Sequence, residues 1–341
     1  MKRKGLALVI AGIIIFLVGS FIFSTSSNKE QINEETANQT YKQGVEIGIL
    51  QTTSHPALDT IQQGVVDGLA KHNYQENEKN SIQIQNGQGD QNLLNTMAQS
   101  LVDDQVDVLI GIGTPASQAL ANASDEIPII MGAVSDPAGA GLIDSLENPK
   151  QNITGVKDQA PIVAQLNLMM ELLPTAEKIG VFYSSGEDNS QVEGQRAVKI
   201  IKEKELTPAT YTVSNTNEIQ QMVAKMAQEV DVIYLPTDNT VASAFDTVVQ
   251  EANRHQLPII PTVDTMIAQG GLATVGIDQS AIGMETGRMA AEVLDGKDPK
   301  QLPVYILTEG EQLINKEQAD FLNLTISKEL LKKATIIKNN N

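Results

Sequence analysis

Cysteine is missing from all 341 residues, which excludes disulfides, thiol catalysis and cysteine-ligated metal. Tryptophan is missing too, and aromatic residues make up only 4% of the chain, so stacking partners for a ligand are scarce. The three histidines, His55, His72 and His255, lie far apart and in no metal-ligand spacing. Basic residues are outnumbered, 24 Lys and Arg against 42 Asp and Glu, for a formal charge of −18. A field of that sign repels nucleic acid and anionic lipid, so neither is an expected partner. No Gly-x-Ser-x-Gly elbow, phosphate loop or metal triad occurs, and Gly111-Ile-Gly113 lacks the third glycine of a dinucleotide fingerprint. The expectation is a protein with no catalytic residue, metal or cofactor.

What the chain does have centres on Asp107-Val-Leu-Ile-Gly-Ile-Gly-Thr-Pro115. Residues 108–112 are too short and too continuously apolar for an amphipathic helix, and read as a parallel strand buried on both faces. Thr114 reads as the cap of the following helix, with Pro115 at its first position, where a missing N–H costs nothing. Such a junction places helix N–H groups at the carboxyl edge of a sheet, where open α/β sheets bind ligands.

The pattern repeats. Asp107-Val-Leu-Ile, Ile127-Pro-Ile-Ile130 and Val134-Ser-Asp136 are matched by Asp231-Val-Ile-Tyr, Leu257-Pro-Ile-Ile260 and Thr262-Val-Asp264. Upstream, Val45-Glu-Ile-Gly-Ile-Leu50 with Thr52-Thr-Ser54 is answered by Lys178-Ile-Gly-Val-Phe182 with Ser184-Ser-Gly186. Two Rossmann-like α/β lobes of similar topology are expected, facing each other across a cleft.

Residues 1–4 are a basic head, and 5–23 an uncharged apolar run of near-spanning length. They predict a signal anchor with the basic end inside; Ser24-Thr-Ser-Ser27 leaves cleavage of a signal open as the alternative. Residues 24–43 are polar and without hydrophobic period, and read as a flexible tether. Beyond it strands and helices alternate. Leu58, Ile61, Val65 and Leu69 mark one helical face, and Leu93, Leu94, Met97 and Leu101 another after a cap at Asp90. Helices are predicted at 115–123, 161–173, 190–205, 217–228, 240–255 and 280–294. Strands are predicted at 179–183, 209–213, 258–263 and 272–276. The first lobe is expected to hold 44–155 and 277–304, the second 156–276 and 305–335, with a multi-crossing hinge that permits closure.

Gly48-Ile-Leu-Gln51 with His55-Pro-Ala-Leu-Asp59, Gly113-Thr-Pro-Ala116, Ser135-Asp-Pro137, Asn152-Ile-Thr-Gly155, Pro236-Thr-Asp-Asn239 and Gly276-Ile-Asp278 resemble the substrate-binding proteins of ABC importers, of type I periplasmic-binding-protein architecture. The branch most similar includes the tryptophan and other aromatic amino-acid binders, and the resemblance runs from about 45 to 326. It implies an extracytoplasmic, monomeric receptor that captures a small molecule, an amino acid in this branch, and delivers it to a membrane permease with a cytoplasmic ATPase. Such proteins are commonly lipoproteins. Without cysteine this one is not, which leaves membrane attachment to the N-terminal helix or secretion after its cleavage. A nucleoside or sugar ligand, or a sensing subunit of a membrane signalling system, remain the alternatives.

An amino-acid ligand needs donors for its carboxylate and an acidic acceptor for its ammonium. Thr114 and Ser135 supply donors, with Ser54 in the Thr53-Ser54 turn; Thr114 and Asp136 are each also open to a pure capping role. Asp238 is the first choice for the ammonium, with Asp264 and Asp278 behind it, and the alternative is that Asp238 caps the helix near Thr240. Asn189 and Asn239 offer amide contacts. Thr237 and Ser184 line the second-lobe edge, Glu187 reads as solvated, and Gln51 faces a ligand's polar end. Tyr183 and Tyr234 read as core, leaving Pro115, Pro137 and methyl groups to wall an aromatic slot.

Overall fold

Strand β1 (Glu46–Gln51) and β3 (Val108–Ile112) lie at the heart of a parallel sheet because their apolar residues are covered on both faces. The computed structural model describes residues 44–149, 151–308 and 310–339. The expected anchor, 5–23, and tether, 24–43, lie outside the described residues. Among the described residues no helix is long and apolar enough to cross a membrane.

The chain runs on from β1 through α1 (Pro56–Lys71), β2 (Ser81–Asn86), α2 (Gln91–Asp103), β3, α3 (Thr114–Ala123), β4 (Ile129–Gly132) and β5 (Ile153–Asp158). It then enters a second lobe with α4 (Ile162–Leu172), β6 (Lys178–Ser184), α5 (Asp188–Glu203), β7 (Thr207–Val213), α6 (Ile219–Met226) and β8 (Val232–Leu235). There follow α7 (Asn239–Ser243), α8 (Phe245–Arg254), β9 (Ile259–Pro261) and β10 (Ala273–Gly276). Helix α9 (Gln279–Leu294) and β11 (Tyr305–Leu307) return to the first lobe. The C-terminal stretch holds β12 (Glu311–Asn315), α10 (Lys316–Phe321), α11 (Leu330–Lys333) and β13 (Thr335–Ile337).

The first lobe is one six-stranded sheet in the order β11-β5-β4-β3-β1-β2; the second combines β7-β6-β8-β9 with a three-stranded β10-β12-β13. Every pair in the two larger sheets is parallel, so within each sheet the carboxyl ends lie at one edge. Those ends are where α/β sheets present ligand sites.

The expected lobe boundaries move in two places. Strand β5 pairs with β4 through Gly155 and continues to Asp158, so the first lobe extends past 155. Strand β11, expected to open the second lobe from 305, pairs in parallel with β5: Tyr305 opposite Val156, Leu307 opposite Asp158. Three crossings therefore form the hinge, after Asp158, after Gly276 and after Leu307. The helix expected over 240–255 is two, broken at Ala244.

Helices α1 and α9 pack so closely that glycine is required on both. A Cβ on Gly283 would stand 2.2 Å from the Ile61 carbonyl oxygen, and one on Gly64 2.7 Å from that of Ser280. The first turn of α9 thus lies against the second turn of α1.

Candidate functional site

The helix after β3 begins at Thr114, and its cap is Gly113 at φ +89°, a conformation L-residues rarely adopt. The capping expectation for Thr114 therefore falls. Thr52, at the end of β1, supplies the cap bond instead: its Oγ1 donates to the Ile112 carbonyl at 3.0 Å and accepts the Ala116 N–H at 3.2 Å. A Cβ at 113 would stand 2.7 Å from that same oxygen. Thr114 is left free of capping and lines the space between the lobes.

That space is a narrow cleft with about 430 Å³ of empty volume, of which about 20 Å³ admits the centre of a water molecule. Thr114, Ser135, Asn189, Thr237, Asp238 and Asn239 all line it, so the structure brings these expected residues together. The lobes touch across it. His55 Nε2 stands 3.3 Å from Asn239 Oδ1, and nearer the rim Gln118 Nε2 donates to Asp188 Oδ2 at 3.1 Å.

The other expected residues sit elsewhere. Gln51 is wholly buried behind β1, where its Nε2 donates to the Thr53 carbonyl and to Asp59, each at 2.7 Å. Ser54 is exposed and donates to Asp59. Asp136 closes a turn by accepting the Gly139 N–H, and Ser184 faces a neighbouring groove while its backbone N–H donates to Asp238. Asp264 opens a single 3₁₀ turn, its Oδ1 accepting the Thr265 N–H, beside the hinge glycine Gly276. Asp278 caps α9 and borders an outer groove of the first lobe. Pro115 and Pro137 do not line the cleft either, while Tyr183 and Tyr234 are core.

Asp238 does cap α7. Its Oδ1 accepts the Val241 N–H at 2.7 Å and its Oδ2 the Ser184 N–H at 2.5 Å, so both oxygens already hold backbone donors. Burial raises its pKa from the usual carboxylate value, with Glu187 adding to the shift. Glu187, expected in solvent, is buried: it accepts from the backbone and side-chain N–H groups of Asn239 and from both the N–H and hydroxyl of Thr240. Four donors converging from one helix start compensate its desolvation.

Two polar cleft-lining residues that sequence reasoning passed over are Gln279 and Asp158; Asp158 is the more unusual. It ends β5 at the first hinge crossing, lines the cleft, and its Oδ1 is buried with no hydrogen-bond partner. Burial, then the neighbouring Glu193, push its pKa up to about 8. Burial also raises Glu193, partly offset by the Thr237 N–H it accepts at 3.1 Å. Asn189 shows the same want of a donor. Its Nδ2 donates to the Thr237 carbonyl at 3.1 Å, which turns Oδ1 the other way, buried and unpaired. A signal existed in the sequence: an acid directly after the buried run of β5, where the chain changes lobes.

No lining residue is Lys or Arg. The same cleft holds the hydroxyls of Thr114 and Ser135 and the first turn of α1, whose cap residue His55 makes no side-chain cap bond. The N–H groups of Ala57 and Leu58 there have no partner inside the helix. Ala57, Leu58, Ile61, Ala133, Ala242 and Val263 make an apolar wall without aromatics, and Gln279 completes it. Unpaired acceptors, hydroxyl donors, a helix start and an aliphatic wall in one cleft suit a small zwitterion with an apolar side chain.

The family model for ABC transporter substrate binding proteins matches residues 46–338. The chain belongs to that family. This substrate-binding protein is 34% identical over 324 residues to a tyrosine-binding protein of Clostridioides difficile strain R20291, covering 95% of this chain and 93% of the relative. It is 41% identical to the ABC domain from Streptococcus pneumoniae crystallised in complex with L-Trp, with a TM-score of 0.84 over 86% of this chain and 99% of that one. To the ligand-free, open structure of a substrate binding protein with adhesive properties from Clostridium difficile it is 31% identical, with a TM-score of 0.66 over 87% and 100%.

Proposed function

We propose that this protein is the extracytoplasmic receptor of an ABC importer and that it captures an aromatic amino acid by closing its lobes on it. The observation that carries the reading is the pair of buried, unpaired acceptors, Asp158 Oδ1 and Asn189 Oδ1, in one cleft free of cationic side chains. An ammonium group has three donors and a positive charge, and satisfies both acceptors at once. The ligand carboxylate takes the Thr114 and Ser135 hydroxyls and the first-turn N–H groups of α1. Its side chain lies on the aliphatic wall. The L-Trp complex of the pneumococcal relative and the name of the tyrosine-binding relative support the same ligand class. A sugar or nucleoside can donate a hydroxyl to Asp158 but brings no positive charge to match a buried carboxylate.

Calorimetric titration of the full-length protein tests this. L-Tryptophan, L-tyrosine and L-phenylalanine are expected to bind, and the matching acids without the amine, such as indole-3-propionate, to bind about 10- to 100-fold more weakly, the range for a lost charge-assisted hydrogen bond. Binding of a sugar or nucleoside with no response to any amino acid would overturn the reading.

A further inference from the structure

We propose that Gln279 is the residue that reads the far end of the ligand's side chain, its amide oxygen accepting a hydrogen bond from a phenol O–H or an indole N–H. The inference rests on the amino-acid reading of the cleft and adds to it a choice among aromatic ligands.

The cleft has two sides, set by the two faces of the second-lobe sheet. Asn189 opens α5, whose Ala197, Ile200 and Ile201 pack on one face together with α4, and Glu193 of the same helix neighbours Asp158. Ala57, Ala242 and Val263 belong to the core on the opposite face, with α6 to α8. A ligand whose ammonium rests on Asp158 and Asn189 therefore points its side chain toward the second group. Gln279 lines the same cleft, and its backbone N–H bonds Asp264, the residue after Val263.

The amide is oriented by its own chain. Gln279 Nε2 donates to the Ile277 carbonyl at 2.9 Å, and a carbonyl only accepts, so the nitrogen must face it and Oε1 must face away. Gln279 is 6% exposed, and its oxygen, which accepts no hydrogen bond here, keeps a little solvent contact that a bound ligand would displace. The apolar residues that share the cleft with it, Ala57, Leu58, Ile61, Ala242 and Val263, offer no side-chain donor. One acceptor in an apolar wall selects for a donor on the ligand, because a ligand without one leaves the oxygen unpaired. Tyrosine and tryptophan carry such a donor; phenylalanine, of nearly the same shape as tyrosine, does not.

The test is titration of the full-length protein with L-tyrosine, L-tryptophan and L-phenylalanine, in the wild type, in Gln279→Leu, which keeps the bulk and loses the acceptor, and in Gln279→Glu, which keeps an acceptor. Wild type is expected to prefer tyrosine and tryptophan over phenylalanine by about tenfold or more, Gln279→Leu to bring the three within about twofold, and Gln279→Glu to restore the preference. A purely structural role for Gln279 would weaken all three ligands together. An unchanged tyrosine-to-phenylalanine ratio in Gln279→Leu overturns the proposal. Should that variant not fold, 1-methyltryptophan against tryptophan on the wild type decides it, equal affinities overturning it. If amino acids bind but phenylalanine matches tyrosine in the wild type, only this inference falls; if none binds, the amino-acid reading falls with it.

Discussion

His55 Nε2 and Asn239 Oδ1 stand 3.3 Å apart across the cleft, and Glu187 decides which of them donates. The Asn239 Nδ2 already gives its hydrogen to Glu187, which leaves Oδ1 toward the histidine, so His55 carries its proton on Nε2. Burial holds the His55 pKa below its usual value, and the ring is neutral at pH 7. This bond joins the lobes only when they are closed. His55→Ala is expected to raise the apparent dissociation constant for the ligand by about three- to tenfold, the worth of one neutral hydrogen bond, with little change in the melting temperature of the free protein. Small-angle scattering should find the free variant more extended. An unchanged affinity would show that the bond does not favour closure.

Asp238→Asn is expected to act on stability before it acts on binding. An asparagine has one acceptor oxygen where Asp238 uses two, so either Val241 or Ser184 meets an amide nitrogen in place of an oxygen. The loss is about 1–2 kcal/mol, the usual size for a helix cap or a buried hydrogen bond. Urea unfolding measures it. A variant as stable as wild type but unable to bind would return Asp238 to the ligand.

Gly283→Ala tests the close packing of α1 on α9. The added methyl would overlap the Ile61 carbonyl, so the helices must part, at about 1–3 kcal/mol. Because Ile61 and Gln279 both line the cleft, ligand affinity should fall with stability. Denaturant midpoints within error of wild type would mean that the helices separate freely.

Much of this was legible in sequence for a physical reason. Parallel strands covered on both faces read as unbroken apolar runs, as in residues 108–112, and the second copy of the pattern exposed the lobe duplication. Thr114, Ser135, Asn189 and Asn239 come to line one cleft because small polar residues past such runs sit at the carboxyl edge of a sheet. Strand β11 was misplaced because three residues carry no period, and its pairing with β5 is tertiary. Glu187 looked solvated and Asp158 passed unnoticed for a related reason. Whether an acid is buried depends on which helix start or which opposite lobe closes over it, and neither is written locally. Asp238 showed the converse, since a cap and a ligand contact ask for the same residue in the same place.

Asp158 ties ligand capture to protons. In the free protein its carboxyl keeps its proton up to about pH 8, and in the unfolded chain an aspartate loses it near 4. Between these values the folded state binds the extra proton, so Asp158 makes the free protein less stable as pH rises toward 8. Asp158→Asn removes that penalty, and its free form should melt higher than wild type at pH 8.5. An ammonium on Asp158 favours the ionised carboxylate, so binding at pH 7 expels the proton. Calorimetry in buffers of different ionisation enthalpy should detect release of close to one proton per ligand and an affinity that rises from pH 6 to 8. In Asp158→Asn the release should vanish and the affinity drop about 10- to 100-fold. If the variant binds amino acids as tightly as wild type, with the same pH profile, the ammonium does not rest on Asp158.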